Sequence, residues 1–216
     1  MTYDLITIAR EYGAGGSELG RALAERLGWA VLDRDLPRRV AERLRLEPEV
    51  VEAMDEHPPS LLARFTSAML VCPPESPLFV DTSVVLSPDV VAAAVRAEIL
   101  AAAANPTAIV VGHGAMCILR DRPQTLHVRL VAPIADRVRR IRGRETLDPR
   151  TAPAQLRKID DDRNANIRRY HETDWRDPLL YDLIVNTGRV AIPELTEAIA
   201  ELVGQAVGGA ARTAEA

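Results

Sequence analysis

Lysine is almost missing from this chain. Lys158 is the only one in 216 residues, so nearly all positive charge rests on arginine. Amine chemistry is confined to one position, and any anion must be met by guanidinium groups. Aromatics are scarce too, at 4% against 47% hydrophobic residues, which leaves Ala, Val, Leu and Ile to build the core. Cys72 and Cys117 stand in no CxxC or other metal-ligand spacing, so a disulfide framework or zinc site has little support. No uninterrupted apolar run reaches the roughly 18 residues of a membrane span, and Asp4 falls where a secretory leader would be basic. The expected location is the cytoplasm, with no membrane partner. A net charge of −4 argues against nucleic acid as a partner bound through the global field.

What is present alternates between two periodicities. Short β-rich runs occur at 5–8, 30–32, 108–111, 126–131 and 183–185, brief and apolar enough for strands buried on both faces. Between them, Leu19, Ala22, Leu23 and Leu27 recur at helical spacing with Gly28 as a stop. Further helices are expected at about 89–104, where Pro88 precedes and Asn105-Pro106 ends the run, at 134–144, and at 154–171. The alternation predicts an α/β fold, a three-layer parallel sheet of about five strands with helices on both faces. The expected organisation is one domain over 1–203, interrupted by a helical insertion at 44–88 and carrying a helical lid at 134–175. Residues 204–216 read as a disordered tail.

The segment ITIAREYGAGGSELGRALAERLG places a glycine-rich turn between a strand and a helix. Glycines let successive backbone N–H groups converge on an anion, and the first helical turn adds unsatisfied donors. Phosphate is the expected guest. Against the pattern Gly, any four residues, Gly, Lys and Ser/Thr, the chain offers Arg10 for the first Gly, Gly15 for the second, Gly16 for the Lys and Ser17 in register. With no lysine nearby, arginine has to supply the charge, and Arg10 lies inside the loop. Five residues further along the chain's later helix, Leu156, Ile159, Arg163, Ile167 and Tyr170 form one stripe in which Arg163 needs an anionic partner.

The loop, followed by IVVGHGAMCILRD, LHVRLVAPIADRVRRI and YDLIVNTGRV, resembles the cytidylate kinase-like family, a branch of the P-loop nucleoside monophosphate kinases. The resemblance spans about 3–203 and is weakest in the insertion. It implies an ATP-dependent kinase using Mg²⁺, with nucleotide substrates and CMP or dCMP favoured as acceptor; a homodimer is carried as an expectation. Gly13, Ala14, Gly15, Gly16, Ser17 and Glu18 would then cradle the donor phosphates, with Ser17 on the metal. Arg10, Ser17, Arg140 and Arg163 would be the catalytic set. Asp33, Arg39, His113, Asp160 and Arg163 would hold the acceptor. Arg137, Arg140 and Arg144, three or four residues apart, would supply the lid arginines.

Two departures from the family bear on function. His113 stands where family members carry Arg, replacing a permanent charge by one that varies with pH. Gly114 stands where cytidylate kinases carry the Asp associated with the pyrimidine nucleotide. Two alternatives therefore stay open: a nucleotide-binding module weak or inactive in catalysis, and a P-loop kinase for a non-nucleotide small molecule.

Overall fold

A computed structural model describes residues 3–51, 87–105, 107–142, 148 and 150–212. Most of the expected insertion at 44–88 lies outside the described residues, as do Cys72 and Arg144. The strands are Leu5–Arg10 (β1), Ala30–Leu32 (β2), Ala108–Val111 (β3), Thr125–Val131 (β4) and Leu183–Asn186 (β5). All pair in parallel, in the order β2-β3-β1-β4-β5. The expected five-stranded parallel sheet is therefore present.

Alternation along β1 makes the three layers. Leu5 faces the cluster that holds Leu32, Val110, Val91 and Ile99, whereas Ile6 and Ile8 face the opposite one with Leu19, Leu23 and Ile199. The first face is covered by the helices Leu36–Leu44 (α2), Pro88–Ala104 (α3) and Ala115–Ile118 (α4). The second is covered by Gly16–Leu27 (α1) and Ile192–Arg212 (α7). Each fully buried Leu or Ile contributes about 1.5–3 kcal/mol, and β1 has three of them, Leu5, Ile6 and Ile8, at 0% exposure. One polar pair sits in this core: Thr7 Oγ1 and His127 Nδ1 lie 2.7 Å apart across β1 and β4.

Helix boundaries follow the local signals. Gly28 ends α1 with φ of 70°, and Ser87 caps α3, its hydroxyl accepting from the Asp89 N–H at 3.3 Å with Pro88 in the first turn. The helices Ile134–Arg142 (α5) and Ala152–His171 (α6) occupy the region expected to form the lid. α7 continues to Arg212, beyond residue 203 where the tail was expected to begin; the alanine-rich composition that looks like low complexity is also that of a good helix former. No helix among the described residues is long and apolar enough to cross a membrane.

The chain runs from β1 outward through β2 and back to β3, then crosses to β4 on the other side. That reversal opens a crevice at the carboxyl ends of β1 and β3, where ligands of open α/β sheets bind.

Candidate active site

Residues 11–15 connect β1 to α1. Gly13 and Gly15 have φ of 81° and 95°, the left-handed conformation that glycine adopts without steric cost. The carbonyls of this loop are all engaged. Arg10 O accepts from Arg163 Nη1 at 3.3 Å, Glu11 O from Ala14 N at 3.0 Å, and Tyr12 O from Arg137 Nη1 at 3.2 Å. Gly13 O accepts from Arg140 Nη1 at 2.8 Å, Ala14 O from Thr187 Oγ1 at 2.8 Å, and Gly15 O from Leu19 N at 2.9 Å. The amides are treated differently. The N–H groups of Gly13, Gly15, Gly16 and Ser17 make no hydrogen bond with any described residue. A loop with its acceptors tied back and four donors open is built for an anion.

These residues line a cavity of about 350 Å³ together with Arg10, Glu18, Asp33, Arg34, Arg140 and Arg163. Beside it, a second cavity of about 280 Å³ lies between α3, α4 and α6, with Arg96, Asn166, Tyr170 and His171 set among apolar walls from Val91, Val95, Met116 and Trp175. Arg10, His113 and Arg163 line both cavities. His113 is presented there by three consecutive left-handed residues, Gly112 (φ 83°), His113 (55°) and Gly114 (70°). Such a conformation at a non-glycine residue costs on the order of 1–3 kcal/mol and is typical of functional turns. Within the second cavity His171 has its pKa lowered, first by burial and then by the Arg96 charge.

Beneath the loop lies a buried ion pair. Arg137 Nη1 donates to Asp160 Oδ2 at 2.6 Å, and Asp160 Oδ1 accepts from Tyr12 N at 2.8 Å, both side chains being less than a tenth exposed. Asp160, expected to touch the acceptor, instead has both oxygens committed to the loop and to Arg137. Arg39 is also displaced from its expected role: it points outward from α2, half exposed and paired with Asp35 at 2.9 Å, and lines neither cavity. Arg34, five residues earlier, takes the place at the cavity, and among the described residues it has no ion-pair partner. Arg140 reaches the loop, but its guanidinium is spent on Gly13 O and on Thr187 O at 3.2 Å, so it positions the loop. Ala14 is fully buried and anchors the loop from below. Gly13, Gly15, Gly16, Ser17, Glu18, Asp33, Arg10, His113 and Arg163 all line the expected crevice.

Thr187, Arg34, Arg96 and His171 were not singled out from the sequence. Thr187 follows a strand, as ligand-side residues of such folds do, and that is the one signal that would have found it. Among the described residues no group of three or more His, Cys, Asp or Glu side chains gathers to hold a metal. The cavity of about 350 Å³ does carry the hydroxyl of Ser17 and the carboxylates of Glu18 and Asp33, the oxygen set that suits Mg²⁺ shared with phosphates. Cys117 is a half-buried free thiol whose pKa burial pushes up to about 11. At neutral pH it is protonated and a poor nucleophile.

The model of the cytidylate kinase-like family matches residues 5–189. No curated protein matches the chain in sequence. Among solved structures, an uncharacterized protein from Eubacterium ventriosum ATCC 27560 superposes with a TM-score of 0.63 at 21% identity, over 93% of this chain and 98% of its own. Shikimate kinase from Bacteroides thetaiotaomicron gives 0.53 at 17% identity, over 93% and 98%. Shikimate kinase from Acinetobacter baumannii in complex with shikimate gives 0.51 at 17% identity, over 94% of each chain. These likenesses show a fold of the P-loop kinase type.

Proposed function

The chain belongs to the cytidylate kinase-like family, and on that premise we propose that it transfers a phosphoryl group from ATP to a nucleoside monophosphate, with CMP and dCMP the first acceptors to test. The observation that carries this reading is the pair of adjoining cavities whose common wall is Arg10, His113 and Arg163. Phosphoryl transfer asks a protein mainly for alignment and for positive charge between donor and acceptor. Two cationic guanidiniums and an imidazole at the junction of two compartments meet that demand, and no Ser-His-Asp set is needed.

The open amides of Gly13, Gly15, Gly16 and Ser17 would hold the donor phosphates. When bound, ATP supplies the phosphoryl group and Mg²⁺ neutralises charge on its oxygens, with Ser17 as the protein ligand. Arg163 stays at the junction because its Nη1 donates to Arg10 O and its guanidinium stacks 5.4 Å from the Tyr12 ring centre. Arg140 and Thr187 keep the loop carbonyls turned away from the incoming anion. The acceptor would enter between α3 and α6, with Arg96 at the rim and the apolar wall against its uncharged part.

A coupled assay of ADP release across the common nucleoside monophosphates tests the proposal. Turnover with one of them supports it; ATP binding without turnover on any acceptor would leave a nucleotide-binding module. A second reading, a kinase for a non-nucleotide anion, is favoured by Gly114. Its φ of 70° strains any side chain, and a Cβ there would lie 3.0 Å from His171 Nε2 and 3.2 Å from Ile167 Cδ1, so the family's pyrimidine-holding Asp would have to displace both. Turnover confined to hydroxylated acids or sugars in the same assay would select that reading.

A further inference from the structure

We infer that Arg10 and Gly16 are a reciprocal exchange of the cation and the glycine of the phosphate loop, with the guanidinium carried from the end of β1 into the place a lysine at the start of α1 would serve. The inference rests on the phosphoryl-transfer reading and deepens it. Gly15 and Ser17 keep their positions in the loop pattern, while the first glycine and the lysine have changed places as Arg10 and Gly16.

The two exchanged positions touch. A Cβ built on Gly16 would meet Arg10 Cγ at 2.6 Å and Arg10 Cβ and Cδ at 3.0 Å. The aliphatic stem of Arg10 thus fills the space through which a side chain at 16 would leave the helix. Gly16 is the first residue of α1 and is absent from the positive-φ positions, so its backbone does not ask for glycine. Room for Arg10 does. The guanidinium then continues to the end of β3, where a Cβ on Gly112 would fall 1.6 Å from Arg10 Nη1. Position 112 follows β3, the strand paired beside β1, and Arg10 lines both cavities there. A cation so placed serves the terminal phosphate of a nucleoside triphosphate and the acceptor anion together.

Two double-mutant cycles test this. Without ligand, Gly16→Ala should lower the unfolding midpoint in the wild-type background, through collision with Arg10. In an Arg10→Gly background, which also removes the Cβ that lies 3.0 Å away, it should raise the midpoint, because alanine is the better helix former. A destabilising effect of equal size in both backgrounds would overturn the exchange. With ATP as the probe, Arg10→Gly and Gly16→Lys should each weaken affinity by about tenfold, and the double variant should return to within about threefold of wild type. A double variant no tighter than Arg10→Gly would also overturn it. Wild-type protein that binds no ATP would remove the phosphoryl-transfer reading itself, while the ligand-free cycle would still decide whether the two positions are exchanged.

Discussion

Asp160 holds Tyr12 by its amide: Oδ1 accepts from Tyr12 N at 2.8 Å, and Oδ2 takes Arg137 at 2.6 Å. Arg137 in turn donates to Tyr12 O at 3.2 Å, so a carboxylate from α6 and a guanidinium from α5 grip both polar groups of one loop residue. The helices that cover the site are thereby tied to the loop that would bind the donor.

Removing one partner of this pair should cost more than removing both. Asp160→Ala leaves Arg137 charged and buried, and the expected loss is about 3–5 kcal/mol in urea unfolding. The pair replacement Asp160→Leu with Arg137→Met should lose less, since the one carboxylate it deprives, Glu11 at 3.6 Å from Arg137 Nε, is partly exposed and still accepts from Ala132 N. Asp160→Asn should fall between wild type and Asp160→Ala. A smaller loss in Asp160→Ala than in the double variant would show that the pair does not hold the loop.

Arg39 and Arg34 separate a surface arginine from a site arginine. Arg39→Ala should leave stability within about 0.5 kcal/mol and leave KM for both substrates unchanged, because its partner Asp35 is on the same exposed turn. Arg34→Ala should raise KM for ATP by about tenfold through the loss of a charge at the donor cavity. Steady-state kinetics on the two variants measures this, and equal KM values would contradict the placement.

The inner strands were legible because buried parallel strands leave continuous apolar runs: the expected 5–8 and 108–111 are observed as Leu5–Arg10 and Ala108–Val111, while the run at 183–185 is the edge strand Leu183–Asn186, with Ile184 exposed. The loop was legible because its glycines carry the signal locally. Arg39 was misplaced because its distance from Asp33 along the chain fixes neither the start of α2 nor the side of the helix that faces the crevice. Asp160 was misassigned for a related reason. Its partner Tyr12 is 148 residues away, and an acidic residue on a helix looks the same whether it faces a ligand or a loop amide. Thr187 and Arg140 were beyond local reading as loop supports, since carbonyl contacts across 173 and 127 residues leave no periodicity.

Acid should destabilise the fold through two histidines. Burial lowers the pKa of His127 against the opposing pull of Asp182, and burial with Arg96 lowers that of His171, both from 6.5. As pH falls the unfolded chain binds protons first, so stability is full above about pH 6.5 and is lost as pH drops through the lower folded values. Urea midpoints at about pH 7.5 and about pH 5.5 should differ in that direction, and His171→Asn should reduce the difference. Arg96→Gln should raise the His171 pKa in an NMR titration; an unchanged value would mean that burial acts alone.

Arg140 should act through its fork and not its charge. A lysine cannot span Gly13 O and Thr187 O together, so Arg140→Lys is expected to lose ATP affinity to within about threefold of Arg140→Ala. Thr187→Val should weaken ATP binding in the same direction, having removed the donor to Ala14 O. Full recovery of affinity in Arg140→Lys would make Arg140 a phosphate contact instead of a positioning residue. Calorimetric titration with ATP distinguishes the two.

Gly112→Ala combines two separable effects. At φ 83° an alanine costs about 1–2 kcal/mol whatever its surroundings, and that part should appear in the unfolding midpoint. Its Cβ also falls on Arg10 Nη1, the far end of a flexible side chain, so the guanidinium yields and leaves the junction of the cavities. The second part should appear in kcat and should vanish when Arg10 is already gone. Arg10→Ala with Gly112→Ala is therefore expected to have the kcat of Arg10→Ala alone but a lower unfolding midpoint. Additive losses in kcat would mean that Gly112 supports catalysis by a route other than the seat it gives to Arg10.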